Sequence, residues 1–218
     1  MDCNGYFCPM NRKLKILLVS PYSKVSVGGI GTWSKSVLDY VPGDCECEII
    51  FLNTAFRIKK HLVGHLPKVR RIVFGSIDSV WHVLKMSYYL YKYKPDVVHS
   101  TSSASKGLLR DMACVIIVEK IFHKRFVIHW HFGRIPEMAA QKTREYRMLC
   151  KVHAKASASI VLDRFSQEAM EKDGLKNVYT VPNALTQAIT DYARTIDMQT
   201  VQQNRHLGEV LFVGHIIE

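Results

Sequence analysis

The sequence predicts an α/β fold, a Rossmann-like parallel sheet with helices on both faces, and three observations carry that expectation. The 218 residues, 48% hydrophobic and 22% charged, suffice for one large domain or two small ones with a sizeable core. Short apolar runs, several unbroken and rich in β-branched or aromatic residues, have the pattern of strands buried on both faces. Segments with apolar residues at helical spacing separate them, and such strand–helix alternation implies parallel pairing through crossover helices.

In chain order, residues 1–13 read as a flexible tail. Ile16–Val19 is the first strand; it stops at Ser20-Pro21, and a polar loop then ends in Gly28-Gly29-Ile30-Gly31. Ile30, Trp33, Val37 and Val41 follow at helical spacing, which predicts a helix over Ile30–Tyr40. A helix N-terminus presents unpaired N–H groups and about half a positive charge, and glycines let a phosphate approach that backbone closely. The same glycines serve equally well as turn formers. Glu48–Leu52 is the second strand. A helix over about Ile77–Tyr93, a strand at Asp96–His99 and a helix over Lys106–Phe122 come next. Phe126–Trp130 is a strand, Glu137–His153 a helix and Ser159–Leu162 a strand. Arg164–Lys172 is a helix with Asp163 placed as its N-cap and Gly174 just past its end, and Val178–Val181 is a strand.

Pro182-Asn183 is the candidate boundary. On that division residues 14–184 form the Rossmann-like domain, and residues 185–208, polar with little apolar periodicity, form a crossover or linker helix. Residues 209–218, with the strand candidate Val210–Val213, open a second domain that the chain does not continue. A last strand closing the same sheet is the other reading of that run.

In an open α/β sheet, ligands bind outside the carboxyl ends of the strands, where loops and helix N-termini converge. Four strand ends carry polar groups here. They are the Ser26–Gly31 loop, Ser100-Thr101-Ser102-Ser103, His129 and His131 with Gly133 and Arg134, and Asp163-Arg164. Hydroxyls, an imidazole, a guanidinium and a glycine loop suit a sugar or phosphate ligand. His131, nearer the strand end, is the better candidate, and His129 reads as a satisfied core histidine. The two share a strand face, but no third metal ligand is obvious. Dinucleotide binding of the dehydrogenase kind is poorly supported, because the glycines do not start at the strand end and the second strand ends at Asn53 rather than an acid.

Bulk charge narrows the partners. Lys and Arg number 30 against 19 Asp and Glu, a net charge of +11, which favours an anionic partner. Phe56–Phe74 holds Arg57, Lys59, Lys60, Lys68, Arg70 and Arg71 among interleaved apolar residues and no acid. Such a stretch reads either as a membrane-surface element or as a solvated helix face. No nucleic-acid-binding motif is present. The six cysteines lack C-x-x-C spacing, against a zinc site, and no secretory signal or spanning segment is visible; a cytoplasmic protein with reduced thiols follows.

As an ordered set, several motifs resemble a known family. KILLVS followed by GGIGTWSKSVLDY, then KPDVVHSTSS, FVIHWHFG, VYTVPNAL and LFVGHIIE are similar to the N-terminal domain of GT-B fold, family-4-type (group 1) glycosyltransferases, with the last opening the second domain. The resemblance implies a retaining transferase that moves a sugar from a nucleotide-sugar donor to a glycan or lipid-linked acceptor, without a cofactor or a metal. It implies that His131 bonds the transferred sugar at the catalytic centre and that Gly28, Gly29 and Gly31 approach the donor diphosphate. Thr101, Ser102 and Arg134 would face the acceptor. Lys59, Lys60, Lys68, Arg70 and Arg71 would meet an anionic membrane, as expected of a peripheral enzyme on the inner leaflet in polysaccharide or glycolipid synthesis. Ala184 and Asp163 depart from the family's usual glycine and serine. The carboxylates that hold the donor sugar in this family lie past Glu218, so the 218 residues alone are expected to be an inactive fragment lacking a donor-binding domain in cis or in trans. Two other classes stay open: a non-catalytic membrane-docking subunit completed by a separate donor-binding chain, and a stand-alone nucleotide-binding domain.

Overall fold

The computed structural model describes residues 13–22, 29–40, 46–55, 68–104, 107–183 and 187–195, apart from the side chains of 68–72 and 187–190. The chain divides into two compact units, Met1–Asn183 and Ala184–Glu218. In the first, six strands pair in parallel: β1 (Leu14–Ser20), β2 (Cys47–Asn53), β3 (Val97–Ser102), β4 (Arg125–Trp130), β5 (Ala158–Val161) and β6 (Val178–Thr180). Their spatial order is β2-β1-β3-β4-β5-β6. The helices are α1 (Gly29–Tyr40), α2 (Lys68–Tyr93), α3 (Leu108–Ile116, running on into a π turn at Ile117–Ile121), α4 (Ile135–Ala140), α5 (Arg144–His153) and α6 (Arg164–Lys172). In the second unit the described element is α7 (Gln187–Thr195). The fold is therefore α/β and Rossmann-like.

Strand order assigns the helices to layers. Right-handed crossovers put the β1–β2 connection, α1, on one face of the sheet. The chain then reverses direction across β1, so α2 and every later crossover fall on the other face. Contacts agree: α2 touches α3, α3 touches α5, and α4 touches both α5 and α6. Leu17, Val98, Phe126, Ile128, Val115, Leu149, Val152 and Met170 are wholly buried between the sheet and this thicker layer. The three central strands β1, β3 and β4 bury their carboxyl halves most completely, with the last four residues of β1 and the last three of β3 and β4 all buried.

Local chemistry explains the boundaries. Pro95 follows α2, Lys94 takes φ 48° at the turn, and the Asp96 carboxylate accepts from the Lys15 amide at 2.9 Å, tying the start of β3 to β1. Asp163 is the N-cap of α6, its side chain accepting from Ser166 N at 2.8 Å. Gly174 closes that helix at φ 80°, with Gly174 N and Leu175 N returning to Glu171 O and Met170 O in a Schellman arrangement.

Several expectations need correction. Ser100, Thr101 and Ser102 are strand rather than loop: they pair with Ile128, His129 and Trp130, and the hydroxyls of Thr101 and Ser102 find partners that permit burial. Gly29 and Gly31 belong to the first turn of α1, not to a loop before it. Helix α2 starts at Lys68, well before Ile77; Gly75, a poor interior helix former, masks the continuity. The segment expected as one helix from Glu137 to His153 is two. Lys142 takes φ 49° between them, and Thr143 Oγ1 restarts the chain as an N-cap accepting from Tyr146 N at 3.1 Å. The expected helix Lys106–Phe122 begins at Leu108 and ends in the π turn. The tail up to Arg12, Gly28, Lys59, Lys60 and the strand candidate Val210–Val213 lie outside the described residues.

Candidate functional site at the strand-order reversal

The order reverses at β1, which has β2 on one side and β3 on the other, and the crevice at such a point is where doubly wound sheets hold ligands. A chain of hydroxyls fixes α1 above it. Ser34 of α1 donates to Ile30 O at 2.8 Å or Pro21 O at 3.1 Å, which uses its single proton. Ser20 at the end of β1 must then donate to Ser34 (2.6 Å), and Thr101 to Ser20 (2.7 Å). The relay is satisfied along its length, and it pins the start of α1 to the ends of β1 and β3.

Beside it sit three imidazoles. Paired positions in a parallel ladder share a face, and the register sets Leu18 beside His99 and Thr101 beside His129. His99 and His129 thus lie diagonally adjacent on the α1 face, with His99 Nε2 and His129 Nδ1 3.3 Å apart. His131 continues the ladder past β4, its amide donating to Ser102 O at 2.8 Å, and its ring lies 4.0 Å from that of His129. Trp33 covers all three, at 5.6 Å from His99, 5.0 Å from His129 and 4.8 Å from His131. His129 is 1% exposed, His131 partly exposed.

The electrostatics are those of neutral rings. Burial pushes His99 down to about 4; burial and then the neighbouring His131 and His99 push His129 down to about 2; burial and then His99 push His131 down to about 4. Each ring at neutral pH therefore offers one donor and one acceptor. Among the described residues His129 Nε2 and His131 Nε2 have no hydrogen-bond partner. Buried polar atoms are ordinarily paired, so two orphaned nitrogens in one cluster call for an explanation. A hydroxyl, which both donates and accepts, satisfies such a nitrogen in either tautomer. An anion gains no charge from these rings; the positive features of the same rim are the N-terminus of α1 and exposed Arg134.

The glycines add a separate observation. A Cβ built on Gly29 or on Gly133 meets no atom within 4 Å, and neither has a positive φ. Packing and backbone conformation leave both positions free to carry a side chain, so the bare backbone there faces open space.

No family model matches the chain, and no curated protein matches it. Among solved structures, one it is similar to is a 2.2 Å crystal structure of a candidate UDP-N-acetylglucosamine 2-epimerase from Listeria monocytogenes, at 9% identity and a TM-score of 0.46. The match covers 76% of this chain and 44% of that one. The chain thus spans less than half of that protein.

Of the residues singled out from sequence, the structure gathers His131, Thr101 and, through α1, Gly29 and Gly31 around the reversal point. Thr101 is buried with its hydroxyl committed to the relay. Ser102 lies on the opposite face of the sheet, 2% exposed, bonded to Asp111 of α3 at 2.5 Å and accepting from Ala104 N. Arg134 is exposed at the start of α4. His129 is buried as a core histidine would be, yet among the described residues only one of its nitrogens is partnered. His99 and Trp33 are the residues that sequence reasoning passed over. The period-2 spacing His99, Thr101 and the pairing of two adjacent strands, each with histidine, contain that signal once register is known.

Asn53 closes the dinucleotide reading further. Its side chain accepts from Tyr22 N at 3.0 Å and Ala55 N at 2.8 Å and donates to Tyr22 O at 2.8 Å, so it anchors the loop after β1. Among the described residues no group of three or more His, Cys, Asp or Glu is arranged to hold a metal ion. Cys114 and Cys150 are free thiols.

Proposed function

We propose that this domain is the acceptor-side half of a retaining glycosyltransferase that moves a sugar from a nucleotide-sugar donor to a glycan or lipid-linked acceptor. One observation carries the reading: at the strand-order reversal, neutral imidazoles with nitrogens unpartnered among the described residues pack against Trp33 of α1, the helix whose first turn has bare backbone at Gly29. A sugar presents hydroxyls, which suit neutral rings, and a diphosphate presents oxygens, which suit a helix N-terminus with bare backbone. The two ligand parts are covalently joined in a nucleotide-sugar, and here Trp33 ties the rings to the same helix whose first turn carries Gly29.

In this mechanism Gly29 and Gly31 leave the first turn of α1 open to the donor diphosphate. His131, at the surface of the cluster, bonds a hydroxyl of the transferred sugar. His99 and His129 are positioning residues that fix the orientation of the His131 ring from behind, and Trp33 keeps water from the buried side. Arg134 faces the acceptor at the outer rim. As the leaving diphosphate separates, its developing charge needs stabilisation from the donor side, which a second domain supplies in cis or in trans.

Turnover tests it. The chain completed by a donor-binding domain, in cis or in trans, is assayed with UDP-, GDP- and ADP-sugars on oligosaccharide and glycolipid acceptors, beside the 218 residues alone and the His131→Ala and Gly29→Leu variants. The completed protein is expected to transfer sugar with the donor's anomeric configuration, and the 218 residues alone to give little or none. His131→Ala is expected to lower the rate by roughly 100-fold or more with its melting temperature unchanged, and Gly29→Leu to fold normally but turn over slowly. Full activity in His131→Ala, or no transfer from any donor, rejects the proposal.

A further inference from the structure

Helix α2 carries a second face that the sugar site does not use. It buries Met86 and Leu90 against the core at 0% and 2% exposure. On the opposite side Ile77, Val80, Trp81, Leu84, Tyr88 and Tyr91 are 49% to 75% exposed. At 100° per residue these six fall within an arc of about 100°, and at 1.5 Å per residue they run for about 20 Å along the helix. Isolated exposed apolar residues are ordinary, but a continuous stripe with an aromatic share this high marks an interaction surface.

We infer that this face docks on an anionic lipid surface. Charge complementarity selects that occupant. Asp78 is the sole acidic residue of the 26 in α2, against Lys68, Arg70, Arg71, Lys85 and Lys92, and exposed Lys94 follows directly. The Lys92 ammonium lies 5.7 Å from the Tyr88 ring and 5.1 Å from the Tyr93 ring, and that of Lys85 lies 5.7 Å from Tyr89. Cations bordering an apolar stripe that contains Trp and Tyr are what an in-plane interfacial helix presents: rings at headgroup depth, ammonium groups on lipid phosphates. Among the described residues no helix is long and apolar enough to cross a membrane, so α2 lies on the surface. The inference does not rest on the sugar-transfer reading.

The chain contains three tryptophans, and Trp33 and Trp130 are buried at 8% and 0% while Trp81 is 49% exposed, so fluorescence reports on this face. The protein is titrated with pure phosphatidylcholine vesicles and with mixed phosphatidylcholine–phosphatidylglycerol vesicles, with brominated lipid as quencher. We expect binding to the mixed vesicles at low salt, a blue shift with quenching of Trp81, and a loss of affinity of about tenfold or more on raising salt. Binding by Leu84→Gln/Tyr88→Gln, whose changes lie on exposed helix positions, is expected to fall by a similar factor with unchanged circular dichroism. Absence of vesicle binding by the wild type overturns the inference. So does vesicle binding without quenching of Trp81, or self-association through this face in place of lipid binding.

Discussion

Three imidazoles held neutral by burial have a consequence for stability. Their folded-state values, about 4 for His99 and His131 and about 2 for His129, lie below the ordinary 6.5. Between roughly pH 6.5 and pH 4 the unfolded chain therefore binds more protons than the folded one, and stability falls as pH falls through that window. Half-buried His82, pushed down to about 4 by desolvation and then by Arg110 and Lys85, adds to the same slope. The melting temperature is expected to drop across this range, and less steeply in His99→Gln, where one depressed imidazole is gone. A melting temperature independent of pH above the carboxylate range contradicts the description of the cluster. The residue scale is also where sequence was least informative. His131 stands out by its position at a strand end, but His99 becomes relevant only when β3 and β4 are in register. Thr101 and Ser102, adjacent in sequence, separate to opposite faces because side chains alternate along a strand.

Among the elements, α6 was legible to the residue. Its N-cap Asp163 and its terminal Gly174 are short-range signals, each acting through bonds to residues three to five positions away. Asp163→Ala is expected to cost about 1 kcal/mol, read as a shift in the denaturant midpoint with unchanged slope. A cost near zero would mean that the Ser166 amide is satisfied without the cap. Where sequence misjudged an element, the deciding interaction was long-range or was a local break inside a periodic pattern. The hydroxyls of Thr101 and Ser102 look like loop until Ser20 and Asp111 supply partners from elsewhere in the chain. Helices α4 and α5 together show continuous apolar spacing, and only Lys142 at positive φ with the Thr143 cap divides them. The outward stripe of α2 conforms to helical periodicity as well as a core stripe does, since periodicity identifies a face without saying what covers it.

For the whole domain, strand–helix alternation sufficed for the parallel sheet and its two helical layers, because each strand's unbroken apolar run requires cover on both sides. The strand order, and hence the location of the reversal, was not legible, since it depends on which edge of β1 receives β3. That single topological choice brings Ser20, Ser34, Thr101 and the histidines together and forms the rim proposed as the ligand site. The most direct measurement is long-range 1H–15N correlation of the histidine side chains while nucleotide-sugars and oligosaccharides are added. The account predicts that His131 and His129 nitrogens shift with a saturable sugar ligand, while exposed His123 does not move. Unchanged His129 and His131 signals in the presence of every such ligand would contradict it.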